Sequence, residues 1–182
     1  MGKAAVFIDA GHIDKILLSY GKLRINYESF LARVCAPQEL YRAYYYACLP
    51  YQGPNPTTEE RERLSGATKF FTSLQGIERF KIRWGHLAPR GKNSDGTTGY
   101  IQKRVDLCLG IDLTSLILKN RPDIAVLVTG DSDFIPAVEF AQQEGVILRL
   151  VHGPSGTFHR ELWNLADERI EMTKDFFTGM LR

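Results

Sequence analysis

Aspartates that follow two apolar runs are the residues of this chain best suited to chemistry. Asp9 ends the run of residues 4–8, and Asp131 and Asp133 closely follow the run of residues 124–129. In a parallel α/β sheet the carboxyl ends of the strands meet at one edge, where ligand sites form. Clustered carboxylates repel one another and take up protons unless a cation is present. Because Mg²⁺ and Mn²⁺ prefer hard oxygen ligands, we predict a site for one of these ions.

A fourth carboxylate is expected from the segment that contains Asp106 and Asp112. Apolar spacing predicts a helix over residues 100–118, on which two positions six residues apart lie about 120° apart around the axis. The two side chains therefore cannot both point squarely into one site. Asp106, nearer the start of the predicted helix, is the preferred ligand. Asp112 lies among apolar residues and is expected at most to support the site from behind the ligands.

Helix capping is the alternative interpretation of these aspartates. Asp133 could cap a helix that begins at Phe134, and Asp9 could cap the helix after the first strand. Capping does not exclude metal binding. The joint placement of the acids at one edge of a sheet is what favours a metal site over caps alone.

Short apolar runs alternate with amphipathic stretches along the chain, which indicates a parallel sheet covered by helices on both faces. We predict a Rossmann-like, three-layer α/β/α fold with a mainly parallel central sheet of about five to six strands. Residues 1–182 are expected to form a single domain, with residues 167–182 as a peripheral C-terminal extension. Residues 86–99, rich in Gly and Pro, are expected to be the longest irregular piece.

Composition is that of an ordinary globular protein, with 44% hydrophobic and 24% charged residues among 182. The net charge of +2 is too small to indicate a nucleic-acid partner by itself. Cys35, Cys48 and Cys108 are widely spaced, which predicts free thiols in a reducing cytoplasm. The N-terminus lacks a signal-peptide pattern, and no apolar run approaches the roughly 20 residues that span a bilayer, so no membrane partner is expected.

Three motifs occur in this order along the chain: Phe7-Ile-Asp-Ala-Gly-His12, Lys103-Arg-Val-Asp106 followed by Asp112, and Thr129-Gly-Asp-Ser-Asp-Phe134. Together they resemble the motifs of the NYN family of PIN-like ribonuclease domains, which includes the LabA-like proteins. The resemblance spans roughly residues 3–152. It implies a Rossmann-like sheet, an acidic pocket for Mg²⁺ or Mn²⁺, and metal-dependent cleavage of RNA.

By position, the resemblance gives the metal-binding and catalytic roles to Asp9, Asp106, Asp131 and Asp133. Many family members carry Asn three residues after the first acid, where this chain has His12. An imidazole there could hydrogen-bond a phosphate or a carboxylate, or it could be a non-catalytic substitution. The predicted function is therefore a metal-dependent endoribonuclease acting on single-stranded RNA. The alternative is a weak or inactive nuclease fold that binds RNA or protein partners in regulation.

Basic residues cluster in segment 78–104, in which Glu78 and Asp95 are the only acids. Such a segment would attract RNA phosphates, although alternating charges could also simply solvate an exposed strand. Thr129 and Ser132 are expected to donate hydrogen bonds to a metal-bound water or to a phosphate at the acidic site. An exposed edge strand would support a homodimer. The predicted RNA contacts are Arg83, Arg90, Lys92, Lys103 and Arg104.

Overall fold

A six-stranded, wholly parallel sheet forms the centre of the protein. The computed structural model describes residues 2–92 and 98–182, and its main sheet has the order β3-β2-β1-β6-β7-β8. This arrangement confirms the predicted α/β fold. The main-sheet strands are β1 (Lys3–Asp9), β2 (Glu39–Ala47), β3 (Phe80–Trp84), β6 (Ile124–Val128), β7 (Ile147–His152) and β8 (Glu168–Glu171), and β4 (His86–Lys92) and β5 (Thr98–Lys103) form a separate antiparallel pair.

Helices cover both faces of the main sheet. Residues of β1 alternate between the two layers: Val6 and Ile8 pack in one hydrophobic cluster, while Ala5 and Phe7 pack in the other. Because both faces are buried, the central strands β1 and β6 have nearly continuous apolar sequences. One face is covered by α1 (Ala10–Ser19), α2 (Tyr27–Cys35) and α3 (Thr58–Gln75), and the other by α4 (Val105–Asn120), α5 (Ile135–Gln143) and α6 (Arg160–Leu165).

The order of the strands reverses between β1 and β6. From β1 the chain proceeds outward to β2 and β3, and after α4 it returns to β6 on the other side of β1. A crevice therefore opens beyond the carboxyl ends of these two strands, as at other topological switch points. Asp9 is the last residue of β1, and Thr129 directly follows β6.

The segment around residues 86–103 differs from the prediction. Instead of an irregular piece followed by a helix from residue 100, β4 and β5 form an antiparallel hairpin, and α4 begins only at Val105. Pairing with β4 takes residues 100–103 into a strand, and local periodicity cannot reveal such a partner. The turn into α4 passes through Arg104, which has a positive φ of 72°.

The C-terminal segment contributes both to the main sheet and to the core. Its strand β8 pairs with β7 at the edge of the main sheet. Met172, Phe177 and Met180 are buried in the core on the α1 side. Within the described ranges, the structure has no helix that is both long and apolar enough to cross a bilayer.

Candidate active site

A cleft of about 570 Å³ opens at the switch point between β1 and β6. Three of the four acids predicted as ligands, Asp9, Asp106 and Asp131, line it together. They come from a strand end, a helix start and the turn after a second strand, so the fold brings distant segments together. Asp133 lies beside the cleft, where it and Asp106 line a neighbouring groove. The rest of the cleft lining is Gly11, His12, Lys15, Thr129, Gly130, Gly156, Thr157, Phe158 and His159.

Asp9 is held firmly in place at the start of α1. Its Oδ1 accepts hydrogen bonds from the backbone N–H groups of Gly11 at 2.9 Å and His12 at 3.4 Å. The Thr129 hydroxyl donates to its Oδ2 at 3.3 Å. Burial raises the pKa of Asp9, the three hydrogen bonds oppose that rise, and the charge of Asp131 adds to it. Asp9 thus caps a helix while facing the cleft.

Asp131 caps the turn that precedes α5. Its Oδ1 accepts the backbone N–H of Asp133 at 3.0 Å, and its own N–H donates to Thr129 Oγ1 at 3.3 Å. The prediction that Asp133 caps a helix from Phe134 is therefore wrong. A 3-10 turn, Ser132–Phe134, is inserted before the helix and moves the capping position back to Asp131. The Asp133 carboxylate is left exposed beside the cleft.

Asp106 stands in the first turn of α4 and is exposed. Desolvation raises its pKa, and the charges of Asp9, Asp131 and Asp133 raise it further. The four predicted acids therefore act on one another electrostatically. A concentration of like charge such as this favours binding of a cation.

The chemistry of these oxygen donors fits Mg²⁺ or Mn²⁺, which take carboxylates and keep several waters. Within residues 2–92 and 98–182, however, no three His, Cys, Asp or Glu side chains are already arranged to hold a metal ion. The charges of these aspartates act on one another, but their carboxylate oxygens do not meet at one point where an ion could bind. Convergence on one cation therefore requires side-chain rotation, which exposed carboxylates such as Asp106 and Asp133 can make without moving the backbone.

Asp112 lies on the same helix but belongs to a different network. Arg83 donates two hydrogen bonds to the Asp112 carboxylate, one from Nε to Oδ2 at 2.6 Å and one from Nη2 to Oδ1. The Tyr46 hydroxyl donates to Oδ2 at 3.1 Å. These contacts tie α4 to β2 and β3. Burial, with the charge of Asp112 in second place, raises the pKa of Tyr46, and the hydrogen bond to Asp112 raises the pKa of Arg83. The contacts do not favour the predicted RNA role of Arg83, because its guanidinium is engaged by Asp112.

Comparison with known families decides the classification. A family model described as the NYN domain matches residues 3–173, nearly the whole chain. The chain belongs to the NYN domain family. NYN domains have a PIN-like nuclease fold, are generally ribonucleases and usually use divalent metals.

Two proteins similar to this NYN domain are described only as uncharacterized or of unknown function. An uncharacterized protein of Methanocaldococcus jannaschii is 33% identical over 72 residues, which are 40% of this chain and 30% of that protein. The match thus spans less than a third of the relative. A crystal structure of a protein of unknown function from Vibrio parahaemolyticus superimposes with a TM-score of 0.66 at 20% identity. It covers 100% of this chain and 96% of that one, and at this identity it supports the fold alone.

His12 is buried in the cleft of this NYN domain, with 8% of its surface exposed. Desolvation lowers its pKa to about 4, helped by the charges of Lys15 and His152, so the imidazole is neutral at pH 7. Its Nε2 atom is buried and makes no hydrogen bond with any described residue. The ring packs against Gly130, where a Cβ would lie 2.9 Å from His12 Cε1.

The other predicted RNA contacts lie near the start of α4. Arg90, Lys103 and Arg104 are exposed on the hairpin and at its exit. The Lys92 side chain lies outside the part of the chain that the structure describes. Ser132 is half-buried in the 3-10 turn beside Asp131.

Lys15 is a cleft residue that sequence reasoning missed. It follows His12 by three residues, a spacing that places both on one side of a helix. Because Asp9 caps α1 and starts it at Ala10, both residues belong to the helix.

Proposed function

We propose that this NYN domain is a metal-dependent ribonuclease that hydrolyses phosphodiester bonds of single-stranded RNA with Mg²⁺ or Mn²⁺. One observation carries the proposal: aspartates from three separate elements line a single cleft at the switch point of the sheet. Structural acids are normally paired with a cation or dispersed, as Asp112 illustrates. Because NYN domains are generally ribonucleases, RNA hydrolysis is the reaction that we infer for this cleft.

In this proposal Asp9, Asp106, Asp131 and Asp133 hold the metal and act as the catalytic acids. A bound divalent ion supplies Lewis-acid stabilisation of phosphate oxygens and lowers the pKa of water. The protein contributes preorganisation, because Asp9 is fixed by two backbone N–H groups and a threonine hydroxyl. Asp131 is fixed by its own turn. Attack of water on phosphorus would break the P–O3′ bond and leave a 3′-hydroxyl and a 5′-phosphate.

The exposed basic residues near the start of α4 would guide the RNA backbone toward the cleft. Arg90, Lys103 and Arg104 are all solvent-accessible, and Lys103 and Arg104 directly precede the helix that carries Asp106. Phosphate contacts of this kind bring marked salt dependence. We also propose that the protein works in the cytoplasm.

Cleavage of an end-labelled single-stranded RNA by purified protein tests the proposal. Activity is expected with Mg²⁺ or Mn²⁺ and is expected to stop with excess EDTA. Asp131→Asn should reduce the rate by at least about 10²-fold, the loss typical of removing one transition-state contact. Asp175→Asn, an exposed change in the C-terminal 3-10 turn, is the matched control and should keep the wild-type rate. A normal rate for folded Asp131→Asn would show that the cleft is not the catalytic site.

An RNA-binding module without turnover is the second candidate. Two observations favour it: His12 replaces a residue that is often Asn, and the carboxylates in the described ranges do not share a coordination point. It is the correct interpretation if RNA stays bound in EDTA and remains intact with every divalent metal tested.

A further inference from the structure

The cleft has two walls of opposite character. Its acidic wall consists of Asp9, Asp106 and Asp131. The same cleft is also lined by residues of α1 and of the loop after β7, which we treat as a second wall. No carboxylate of the described residues belongs to it. We call it the basic wall, defined as His12, Lys15, Gly156, Thr157, Phe158 and His159.

The loop part of the basic wall is fixed to the end of β6. The His159 N–H donates to the Gly130 carbonyl at 2.9 Å. A Cβ on Gly130 would lie 2.1 Å from the Thr157 carbonyl oxygen and 2.9 Å from Phe158 Cα, so only glycine permits this approach. Thr157 also donates from its hydroxyl to the Pro154 carbonyl at 2.8 Å. The wall is therefore preformed.

His152 secures the base of the same loop and uses both of its ring nitrogens. Its Nδ1 lies 2.7 Å from the Gly153 carbonyl oxygen, and its Nε2 lies 3.2 Å from Trp163 Nε1. Because an indole N–H can only donate, His152 Nε2 accepts and Nδ1 carries the proton. The Phe158 ring packs against this imidazole at 4.5 Å. His152 is thus fully satisfied by protein contacts.

His12 is the opposite case. It is as buried as His152, with 8% and 5% exposed respectively, yet its Nε2 has no partner among the described residues. A buried polar atom without a partner is destabilising unless a ligand completes the contact. Lys15 stands on the same side of α1 and adds an exposed positive charge. In the tautomer with its proton on Nε2, His12 offers an N–H donor beside the Lys15 ammonium group, and such a pair suits an anionic oxygen.

We propose that the basic wall is a second phosphate subsite, which binds the RNA phosphate next to the one that is cleaved. The subsite rests on the proposed function for the identity of its ligand. His12 donates from Nε2 and Lys15 from Nζ to oxygens of this phosphate, while the preformed loop bounds the site. The shortest well-bound RNA therefore contains two phosphodiesters.

Binding of short RNAs tests the subsite separately from catalysis. Fluorescein-labelled uridine dinucleotide and trinucleotide, with one and two phosphodiesters, are titrated by anisotropy in Ca²⁺, and electrophoresis verifies that they stay intact. Wild-type protein should bind the trinucleotide about tenfold more tightly, since one charge-assisted contact is worth roughly that factor. Lys15→Gln should remove most of this gain, leave dinucleotide affinity within about twofold, and reduce the log–log salt slope by about 0.7.

Variants of the buried donor give a second measurement. His12→Leu should lose several-fold affinity for the trinucleotide alone, and His12→Gln, which keeps an N–H donor, should recover part of it. Lys69→Gln, an exposed change on α3, should alter neither affinity. Equal wild-type affinities for the two RNAs, no measurable binding of either, or equal losses for both with Lys15→Gln would overturn the subsite.

Cleavage assays on a long RNA separate the two proposals. Metal-dependent cleavage without the dinucleotide–trinucleotide difference would leave the ribonuclease proposal standing and reject the subsite. If the trinucleotide binds more tightly than the dinucleotide but no RNA is cleaved, the subsite would stand as part of an RNA-binding module. The ribonuclease proposal would then be rejected.

Discussion

Two aspartates on α4, Asp106 and Asp112, have the same side chain and opposite surroundings. Asp112 is 9% exposed and is held by Arg83 and Tyr46. Asp106, one and two-thirds turns earlier, is exposed, and the charges that act on it are those of three other aspartates. The charge of Asp112 is balanced by Arg83, whereas the charge of Asp106 is repelled by the neighbouring aspartates.

The difference separates a structural acid from a candidate catalytic acid. A paired carboxylate contributes to the fold only, since its charge is already satisfied. A carboxylate kept among like charges weakens the fold, and such an arrangement is typical of functional sites. The contrast assigns Asp112 to the attachment of α4 and Asp106 to the cleft that α4 helps to build.

Activity should show the largest difference between the two positions. Asp106→Asn is expected to lower the cleavage rate by at least about 10²-fold, because it removes one acid of the proposed metal site. Asp112→Asn in protein that remains folded should retain activity within several-fold. Rates are compared on one RNA at saturating Mg²⁺, below the unfolding temperature of both variants. Equal losses at the two positions would remove the distinction.

The free energy of unfolding should depend more on Asp112 than on Asp106. Asp112→Asn leaves the Arg83 guanidinium without its counter-charge and is expected to destabilise the protein by about 2 kcal/mol. This is below the usual range for a fully buried pair, because the Arg83 side chain is 39% exposed and water can partly solvate it. Urea unfolding at pH 7 measures the change.

A double variant tests whether the loss arises from the unpaired charge. Arg83→Met combined with Asp112→Asn should be more stable than Asp112→Asn alone, because it removes the stranded cation. If the double variant is no better than the single variant, the loss would come from packing and not from charge.

The sequence predicts the acids' placement better than their partners. Asp9 and Asp131 follow buried strands, so a parallel sheet must bring them to one edge. Helical geometry alone places Asp106 and Asp112 on different sides of α4. The partner of Asp112 could not be predicted, because Arg83 reaches it only through the packing of α4 against β3.

Fold prediction shows the same limit of local reasoning. Local signals are enough to define helix α2 and strand β3: Asn26 caps α2, and alternation marks β3. The hairpin of β4 and β5 was mistaken for a loop and part of a helix. Its pairing joins His86 to Lys103, a contact that no local window contains.

The smallest expected effect is on the stability of the metal-free protein, where Asp106→Asn should be slightly more stable than wild type at pH 7. The folded protein raises the pKa of Asp106 above its ordinary value of 3.8, so ionisation of this residue opposes folding. The stability difference should therefore be present at neutral pH and fade as the pH falls toward 3.8. Because Asp106 is exposed and screened, the gain should be below about 1 kcal/mol.

Thermal unfolding in EDTA across this pH range measures the stability difference, with Asp175→Asn as the control. A gain that persists unchanged at the lowest pH would mean that charge repulsion is not its cause, and Asp106 would then lose its electrostatic contrast with Asp112.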